Sequence, residues 1–506
     1  MPFLDWVNKA QATQTSRDVP YHLLRQVSVH GQADGASADN LLIQGDNLLA
    51  LKALLPFYRG QIKCIFIDPP YNTQSAFSHY DDRLEHSQWL SMMYPRLVLL
   101  RELLAENGSI WVTLDDNEAH YCKVLMDEVF GRSAFVVNVI WQKRTSPDAR
   151  LQMGDAHDHV LVYAKGKARN HFNTLSLTDE QASKYKNPDN DPRGPWVSSD
   201  YSAQGFRPNQ MYEIRTPKGA IHKPPVGSCW KNTEEKFQQL QQEGRIWFGK
   251  NGLGVPRRKN YLSETEGRSS WSWWSNSDVG HNQEAKKEIL ELYGPENVFS
   301  TPKPERLIQR ILHIATTPGD LVLDSFLGSG TTVAVAHKMG RRYIGIEMGD
   351  HAETHCLPRL QKVIEGEQGG ISAAVGWQGG GGFRFCKLGS AAFDADGVIH
   401  PEVKFNALGA YVWHMETGTP GKARYDKPRL GVHNGTAYYL LYNGILGDRR
   451  PEGGNVLTSA VLHMLEEELP HQGPKVIYGE TTRLGPARLA SLGITFKQIP
   501  YDIAMR

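Results

Sequence analysis

Short apolar runs alternate with stretches whose apolar residues recur every three or four positions, and this happens in two separate blocks of the chain. In the first block, Leu41-Leu42-Ile43-Gln44 predicts a strand, and Leu48, Leu49, Leu51, Leu54 and Leu55 predict a helix. Ile62 to Ile67 is the next strand. Trp89, Leu90, Met93, Leu97, Leu100 and Leu104 mark a helix closed by Asn107-Gly108, and Ser109 to Leu114 is a further strand. The second block repeats the theme: a helix over Ala285 to Tyr293, another through Leu307, Ile311 and Ile314, a strand at Asp320 to Asp324, a helix at Thr332 to Met339 closed by Gly340, and a strand at Tyr343 to Ile346. Strand and helix in alternation predict an α/β fold built on a parallel, Rossmann-like sheet whose working edge is the row of strand ends.

Between the blocks the texture changes to Pro-, Gly- and Asn-rich loops with clustered aromatics. The predicted organisation is a lead-in over residues 1–40 with a short helix, a catalytic half over 41–140, an insert over 141–282 and a cofactor half over 283–365. A glycine-rich linker over 366–382 then leads to a small C-terminal α/β module over 383–506. In that module strands are expected at Ala437 to Tyr442, Lys475 to Tyr478 and Thr495 to Ile499, with helices at Val456 to Leu469 and Leu484 to Leu492. Glu466-Glu467-Glu468 reads as a solvated helix face, and His414 and His463 as structural; the module's role is expected to be docking or dimer support.

The first strand end with distinctive chemistry is Asp68-Pro69-Pro70-Tyr71. Two prolines in succession lack amide donors and fix φ, so they end the ladder and leave a carboxylate, stiffly held carbonyls and one aromatic ring at the carboxyl edge. Such a cradle suits a planar amine: Asp68 and the Pro69 carbonyl accept its two N–H groups while Tyr71 stacks on the ring. A plain turn after a strand is the competing reading.

The second is Asp324-Ser325-Phe326-Leu327-Gly328-Ser329-Gly330-Thr331, a glycine-bearing loop between strand and helix, followed by a strand ending at Glu347. A phosphate-cradling P-loop needs a lysine that this loop lacks, and a dinucleotide fingerprint needs a third glycine where Val333 stands. What remains is an adenosine carrying an amine and a carboxylate, as in S-adenosylmethionine. Asp324 would serve its ammonium, Glu347 its ribose and Lys303 its carboxylate; a turn former and a surface lysine are the alternatives. Together the two strand ends compose a methyl transfer to an aromatic amine, in which proximity and oriented acceptors supply the catalysis.

Charge and composition add a partner. The whole chain is nearly neutral, but between Trp141 and Ser270 it carries 21 Lys or Arg against 14 Asp or Glu. Seven of the twelve tryptophans lie between Trp141 and Trp274. Cations interleaved with aromatics suit phosphate contact and base readout, with Arg257-Arg258-Lys259 as the candidate DNA-binding cluster, against a solvated face for any one of them. Five scattered cysteines without a Cys-x-x-Cys pair imply neither zinc ribbon nor disulfide framework, so no metal site and a reduced, cytoplasmic setting are expected. No apolar stretch reaches membrane-spanning length, and Met1 to Trp6 lacks the basic head and long apolar body of a signal peptide.

With Asp68-Pro69-Pro70-Tyr71 preceding Phe326-Leu327-Gly328-Ser329-Gly330-Thr331 and a variable insert between, the chain resembles DNA amino-methyltransferases of the beta class. Gln44-Gly45-Asp46-Asn47-Leu48, Asp115-Asp116-Asn117-Glu118, Glu128-Val129-Phe130-Gly131 and Thr301-Pro302-Lys303-Pro304 resemble the Mod subunits of type III restriction-modification systems, over roughly residues 40 to 350. The resemblance implies a Rossmann-like methyltransferase fold whose insert is a target-recognition domain, acting with S-adenosylmethionine on a base flipped from duplex DNA. It implies that Asp68 to Tyr71 are catalytic, that Lys303, Asp324, Phe326, Gly328, Ser329, Gly330, Thr331 and Glu347 bind the cofactor, and that Asp46 touches its adenine. An initial Asp in the tetrapeptide implies the 6-amino group of adenine. The alternatives are the 4-amino group of cytosine and a catalytically silent DNA-recognition subunit of a defence complex. A homodimer, and a restriction or helicase subunit as partner, are implied as well.

Overall fold

In the computed structural model the described residues are 4–32, 40–73, 85–146, 152–166, 172–295, 299–394, 397–422, 424–442, 445, 455–500 and 502. Residues 33–39 of the expected lead-in lie outside them. The chain divides into two units, one of residues 1–173 with 271–506, the other Thr174–Ser270.

The first unit is organised by a ten-stranded sheet. Its strands in chain order are β1 (His22–Gly31), β2 (Leu41–Gln44), β3 (Ile62–Ile67), β4 (Leu104–Leu114), β5 (Phe135–Gln142), β6 (His157–Ala164), β7 (Trp273–Trp274), β8 (Leu321–Asp324), β9 (Arg342–Glu347) and β10 (Gly382–Ala391). They lie side by side as β1-β10-β2-β9-β8-β3-β4-β6-β5-β7. From β10 through β4 every neighbouring pair is parallel, while β1 on β10, β6 on β4 and β5 on β6 are antiparallel. Central strands buried on both faces read as continuous apolar runs, and β3 and β8 are buried along almost their whole lengths. Helices α1 (Lys9–Asp18), α2 (Asn47–Tyr58), α3 (His86–Leu103), α4 (Ala119–Phe130), α5 (Asn282–Tyr293), α6 (Glu305–Ala315), α7 (Thr331–Lys338) and α8 (Leu357–Ile364) belong to the same unit. Leu51, Leu54, Met93, Leu97 and Leu100 of α2 and α3 meet Ile65, Ile67 and Val112 in one apolar core.

The parallel order makes the carboxyl ends of β2, β9, β8, β3 and β4 neighbours, so Asp46, Glu347, Asp324, Asp68 and Asp115 gather along one sheet edge. The chain runs outward in one direction from β3 to β4 and in the other from β8 to β9. The reversal between β8 and β3 opens the crevice in which doubly wound sheets hold ligands.

Three expectations about domain limits differ from what is observed. The inner unit, Thr174–Ser270, is narrower than residues 141–282, because β5, β6 and β7 belong to the large sheet. The lead-in contributes α1 as expected but also a full edge strand, β1. The stretch 366–382 is no loose linker: the Ile371 amide donates to Glu305 Oε2 at 3.0 Å, Lys338 Nζ donates to the Gly369 carbonyl at 3.2 Å, and Gly382 begins β10 inside the sheet.

Beyond β10 stands a four-stranded sheet of β11 (Arg429–His433), β12 (Thr436–Leu440), β13 (Lys475–Gly479) and β14 (Ile494–Gln498), in that order. Its helices include Phe405–Thr417, Ser459–Glu468 and Pro486–Ser491. Val403, Leu408, Leu430 and Tyr438 share an apolar cluster with Tyr21 and with Ala53 of α2, so the module is built onto the large domain rather than tethered to it. Burial pushes His414 down to about 4, so its imidazole is neutral at physiological pH.

The inner unit has a three-stranded antiparallel sheet, Ile246–Trp247 beside Arg257–Tyr261 beside Trp196–Asp200, and a core of Tyr201, Ile214, Trp230, Phe237, Leu240 and Phe248. No helix among the described residues is long and apolar enough to cross a membrane.

Candidate active site

Where β3 ends, Pro69 and Pro70 stop the ladder, and the Pro70 carbonyl accepts the indole N–H of Trp89 at 2.7 Å. Trp89 is wholly buried, so α3 fixes the tetrapeptide from behind. Asp68 accepts from Thr113 Oγ1 on neighbouring β4 at 2.7 Å and from Lys303 Nζ at 2.5 Å. The Lys303 ammonium also stands 5.0 Å from the Tyr71 ring centroid, within cation–π reach. Tyr71 donates its hydroxyl to Asp158 at 3.2 Å, and Asp158 is paired with Lys143 at 2.7 Å. Burial raises the Tyr71 phenol well above its ordinary range, so it remains a donor at any physiological pH.

The loop after β8 is tied down from several sides. Asp324 accepts from the Phe326 amide at 3.0 Å and from Thr332 Oγ1 at 2.6 Å. Burial nevertheless pushes its carboxyl up to about 7, those two bonds only partly offsetting the desolvation of the charge. Gly330 has φ +81°, and a Cβ there would lie 3.2 Å from Cys356 Cα, so only glycine serves this turn into α7. Beneath it the buried Arg359 donates to the Ser329 carbonyl at 3.3 Å, to Thr331 Oγ1 at 2.9 Å and to Glu305 Oε1 at 2.8 Å. Glu305 is also bound by Lys338, so one buried charge network carries the loop.

The two strand ends share one cavity of about 420 Å³. All four residues Asp68 to Tyr71 line it, as do Lys303, Asp324, Phe326, Gly328, Ser329 and Thr331. The volume suits a small organic ligand. Ser300, also in the wall, has a buried hydroxyl without a partner among the described residues.

Three expected cofactor residues are not in this wall. Gly330 shapes the turn. Glu347 is buried and turned to the loop itself, accepting from the Gly328 amide at 2.7 Å, the Met348 amide at 2.8 Å and the Gly349 amide at 3.1 Å; it organises the loop instead of presenting an open carboxylate. Asp46 caps α2, accepting from the Leu48 and Leu49 amides at 2.8 and 3.2 Å, and stands 3.3 Å from Arg96 Nη2. Lys303 is present but bonded to Asp68, not left open for a carboxylate. The sequence reading missed Thr113, Lys143, Asp158 and Arg359. Only their polar or charged side chains at buried positions marked them, and burial is known only once the fold is placed.

In the inner unit the expected basic cluster divides. Lys259 is buried against Asp189 and Asp191, beneath the Trp196 ring, so it is a core cation and the phosphate assignment does not hold for it. Arg193, with Lys259 and Tyr261 behind it, holds Asp191 far below the usual carboxylate range. Arg257 pairs with Asp200 at 2.5 Å, and Arg258 is exposed on the alternate face of the same strand.

Similarity to known proteins agrees with this arrangement. The StyLTI Mod subunit of a type III restriction-modification enzyme from Salmonella typhimurium strain LT2 is 36% identical over 365 residues, 64% of this chain and 53% of that protein. The probable type III HindVI Mod subunit of Haemophilus influenzae is 31% identical over 421 residues, 70% and 55% of the two chains. The type II methyltransferase M.EcaI of Enterobacter cloacae is 32% identical over 316 residues, 61% and 66%. The chain thus spans about half the length of the two Mod subunits it matches. A family model described as DNA methylase matches residues 62–356, more than half of the sequence and both walls of the cavity, and the chain belongs to that family, the N6/N4 DNA methylases.

Proposed function

We propose that the chain methylates the 6-amino group of adenine in duplex DNA, with S-adenosylmethionine as methyl donor. The observation that carries this reading is the placement of Asp68 and Asp324 at the ends of adjacent parallel strands, facing one cavity. The donor set fits the cofactor: a buried carboxyl at Asp324 for a cation, the Phe326 ring for a flat heterocycle, and the unpartnered Ser300 hydroxyl for a polar group. When bound, the cofactor supplies an electrophilic methyl group.

The chain's own residues then have definite tasks. Asp68 and the Pro69 carbonyl accept hydrogen bonds from the base amine, which draws the nitrogen lone pair out of conjugation with the ring and orients it. Thr113 and Lys303 hold the Asp68 carboxylate in place. Tyr71, pinned by Asp158, offers a ring for a base taken out of the stack. Phe326, Gly328, Ser329 and Thr331 line the cofactor's side, with Arg359 behind them as a positioning residue.

Adenine is chosen over cytosine because the tetrapeptide opens with Asp. In the inner unit we assign phosphate contact to Arg258, the exposed member of the triplet, because Arg257 is paired with Asp200 on the face that carries Lys259. The relatives named as Mod subunits of type III restriction-modification enzymes support a place in a restriction-modification system, and a homodimer with a restriction subunit as partner is part of the same proposal. Incubation with labelled S-adenosylmethionine and duplex DNA, followed by mass spectrometry of the digested nucleosides, is expected to show N6-methyldeoxyadenosine. N4-methyldeoxycytidine, or DNA binding without transfer, contradicts the reading.

A further inference from the structure

On the edge of the sheet beyond the catalytic strand ends, a second cluster of donors is assembled that the reaction does not use. His157 and His159 alternate with Asp158 along β6, so they share one face while Asp158 faces the other way, toward Tyr71 and Lys143. β4 pairs antiparallel with β6, Leu114 opposite His159, which brings the turn after β4 over the two imidazoles. Asp116 in that turn lies 2.8 Å from His159 Nε2. One ligand atom each from Asp116, His157 and His159 all fall within 4.8 Å of one another. A fourth donor is close: His120, at the start of α4, has Nε2 3.8 Å from the same Asp116 oxygen, and its ring centroid is 5.3 Å from that of His159.

The spacing fits a small divalent ion. Ligand atoms about 2.0–2.1 Å from a tetrahedral centre are separated by roughly 3.3 Å, above the 2.8 Å between Asp116 and His159 and inside the 4.8 Å that bounds the group. A carboxylate with two or three imidazoles is the donor set preferred by zinc and its first-row neighbours, and not by magnesium or calcium. An independent observation concerns the atom behind His159. Asn138 on β5 contacts His159 Nδ1 at 2.8 Å, and its Oδ1 is buried without a hydrogen-bond partner among the described residues. Rotating that amide by 180° places Oδ1 against Nδ1. The oxygen then accepts the Nδ1–H, the orphan is satisfied, and the Nε2 lone pair is left facing Asp116, the tautomer and orientation that metal-bound histidines obtain from a second hydrogen bond.

We propose that Asp116, His157 and His159, with His120 completing the set, form a binding site for a divalent transition metal of the zinc class, supported by Asn138. The sequence reading expected no metal because it looked to cysteine spacing, whereas these ligands are an aspartate and histidines brought together from three separate elements. The site fastens β6 to the turn after β4. The residues next to its ligands, Asp115 and Asp158, line the catalytic cavity, so the ion is a clamp on that wall and not a participant in the chemistry.

Untagged full-length chain stripped with chelator is titrated with Zn²⁺ by calorimetry, and with Co²⁺ by visible absorption, which reports ligand number directly. One equivalent of Zn²⁺ and an intense low-coordinate Co²⁺ band are expected. Asp116→Ala, at an exposed position, and His157→Ala, at a half-buried one, are each expected to weaken binding by about tenfold or more and to dim the band. Asn138→Leu is expected to weaken it while all ligands remain. Absence of a stoichiometric equivalent, or the same affinity in Asp116→Ala and His157→Ala as in the parent, overturns the proposal.

Discussion

Asp324→Asn separates what the cavity needs for binding from what the fold needs for stability. In the folded chain the Asp324 carboxyl is pushed up to about 7, whereas in the unfolded chain it returns to the ordinary value near 3.8. The folded state therefore holds this proton more tightly than the unfolded state. Its contribution to stability is fully present below the unfolded value, declines as pH climbs between the two, and is lost above the folded value. Between pH 5 and pH 7.5 the decline amounts to about 2.5 kcal/mol. Asparagine has no charge to desolvate and its oxygen still accepts from the Phe326 amide, so the variant lacks this slope. Its stability relative to the parent should rise by about 2.5 kcal/mol from pH 5 to pH 7.5, read as the difference in urea unfolding free energies at each pH. Cofactor binding should move oppositely. If the ionised carboxylate receives the cofactor's ammonium, parent affinity rises about eightfold from pH 6 to pH 7.5 as the ionised fraction grows, while the variant binds weakly at both. Calorimetric titration with S-adenosylmethionine reads this directly. A stability difference that does not change with pH, or a variant whose affinity keeps the parent's pH dependence, refutes the reasoning.

Lys303→Met leaves Asp68 with Thr113 alone, and loss of about 2–3 kcal/mol of transition-state stabilisation should appear as roughly a hundredfold drop in kcat/KM at unchanged fold. Arg359→Met removes one cation from the buried network, leaving Glu305 to Lys338 and the Ile371 amide, and releases the Ser329 and Thr331 contacts; unfolding free energy should fall by about 3–5 kcal/mol, and in the surviving folded enzyme the KM for cofactor should rise more than kcat falls. Lys259→Met breaks the buried pairs with Asp189 and Asp191, so limited proteolysis should cut residues 174–270 far faster. Arg258→Ala should leave that proteolysis unchanged and reduce the salt slope of DNA binding by about one.

Much of the large domain was legible because buried parallel strands have a plain signature. Ile62–Ile67 is apolar but for Lys63 and Leu321–Leu323 is apolar throughout, each run stops at an acid, and both strand ends were located from the sequence. The edge strand β1 and its neighbour β10 were not, because they are partly exposed and their pairing joins residues hundreds of positions apart. Glycine content made 366–382 look like a linker, yet its backbone is bonded to the Glu305 and Lys338 charges, a long-range relation that composition does not encode. Charge was misread in the same way at Lys259: a basic triplet along a strand alternates faces, so its members cannot all meet one phosphate backbone. Glu347 and Asp46 sit at strand ends as expected, but local backbone amides take their oxygens.

The central claim is that Asp68 orients an amine opposite a methyl donor held by the β8 loop. Asp68→Ala, paired with a calorimetric check that S-adenosylmethionine still binds, is the most direct test. The account predicts retained cofactor binding with transfer of label to duplex DNA lowered to background in single turnover. Persisting transfer in Asp68→Ala contradicts it.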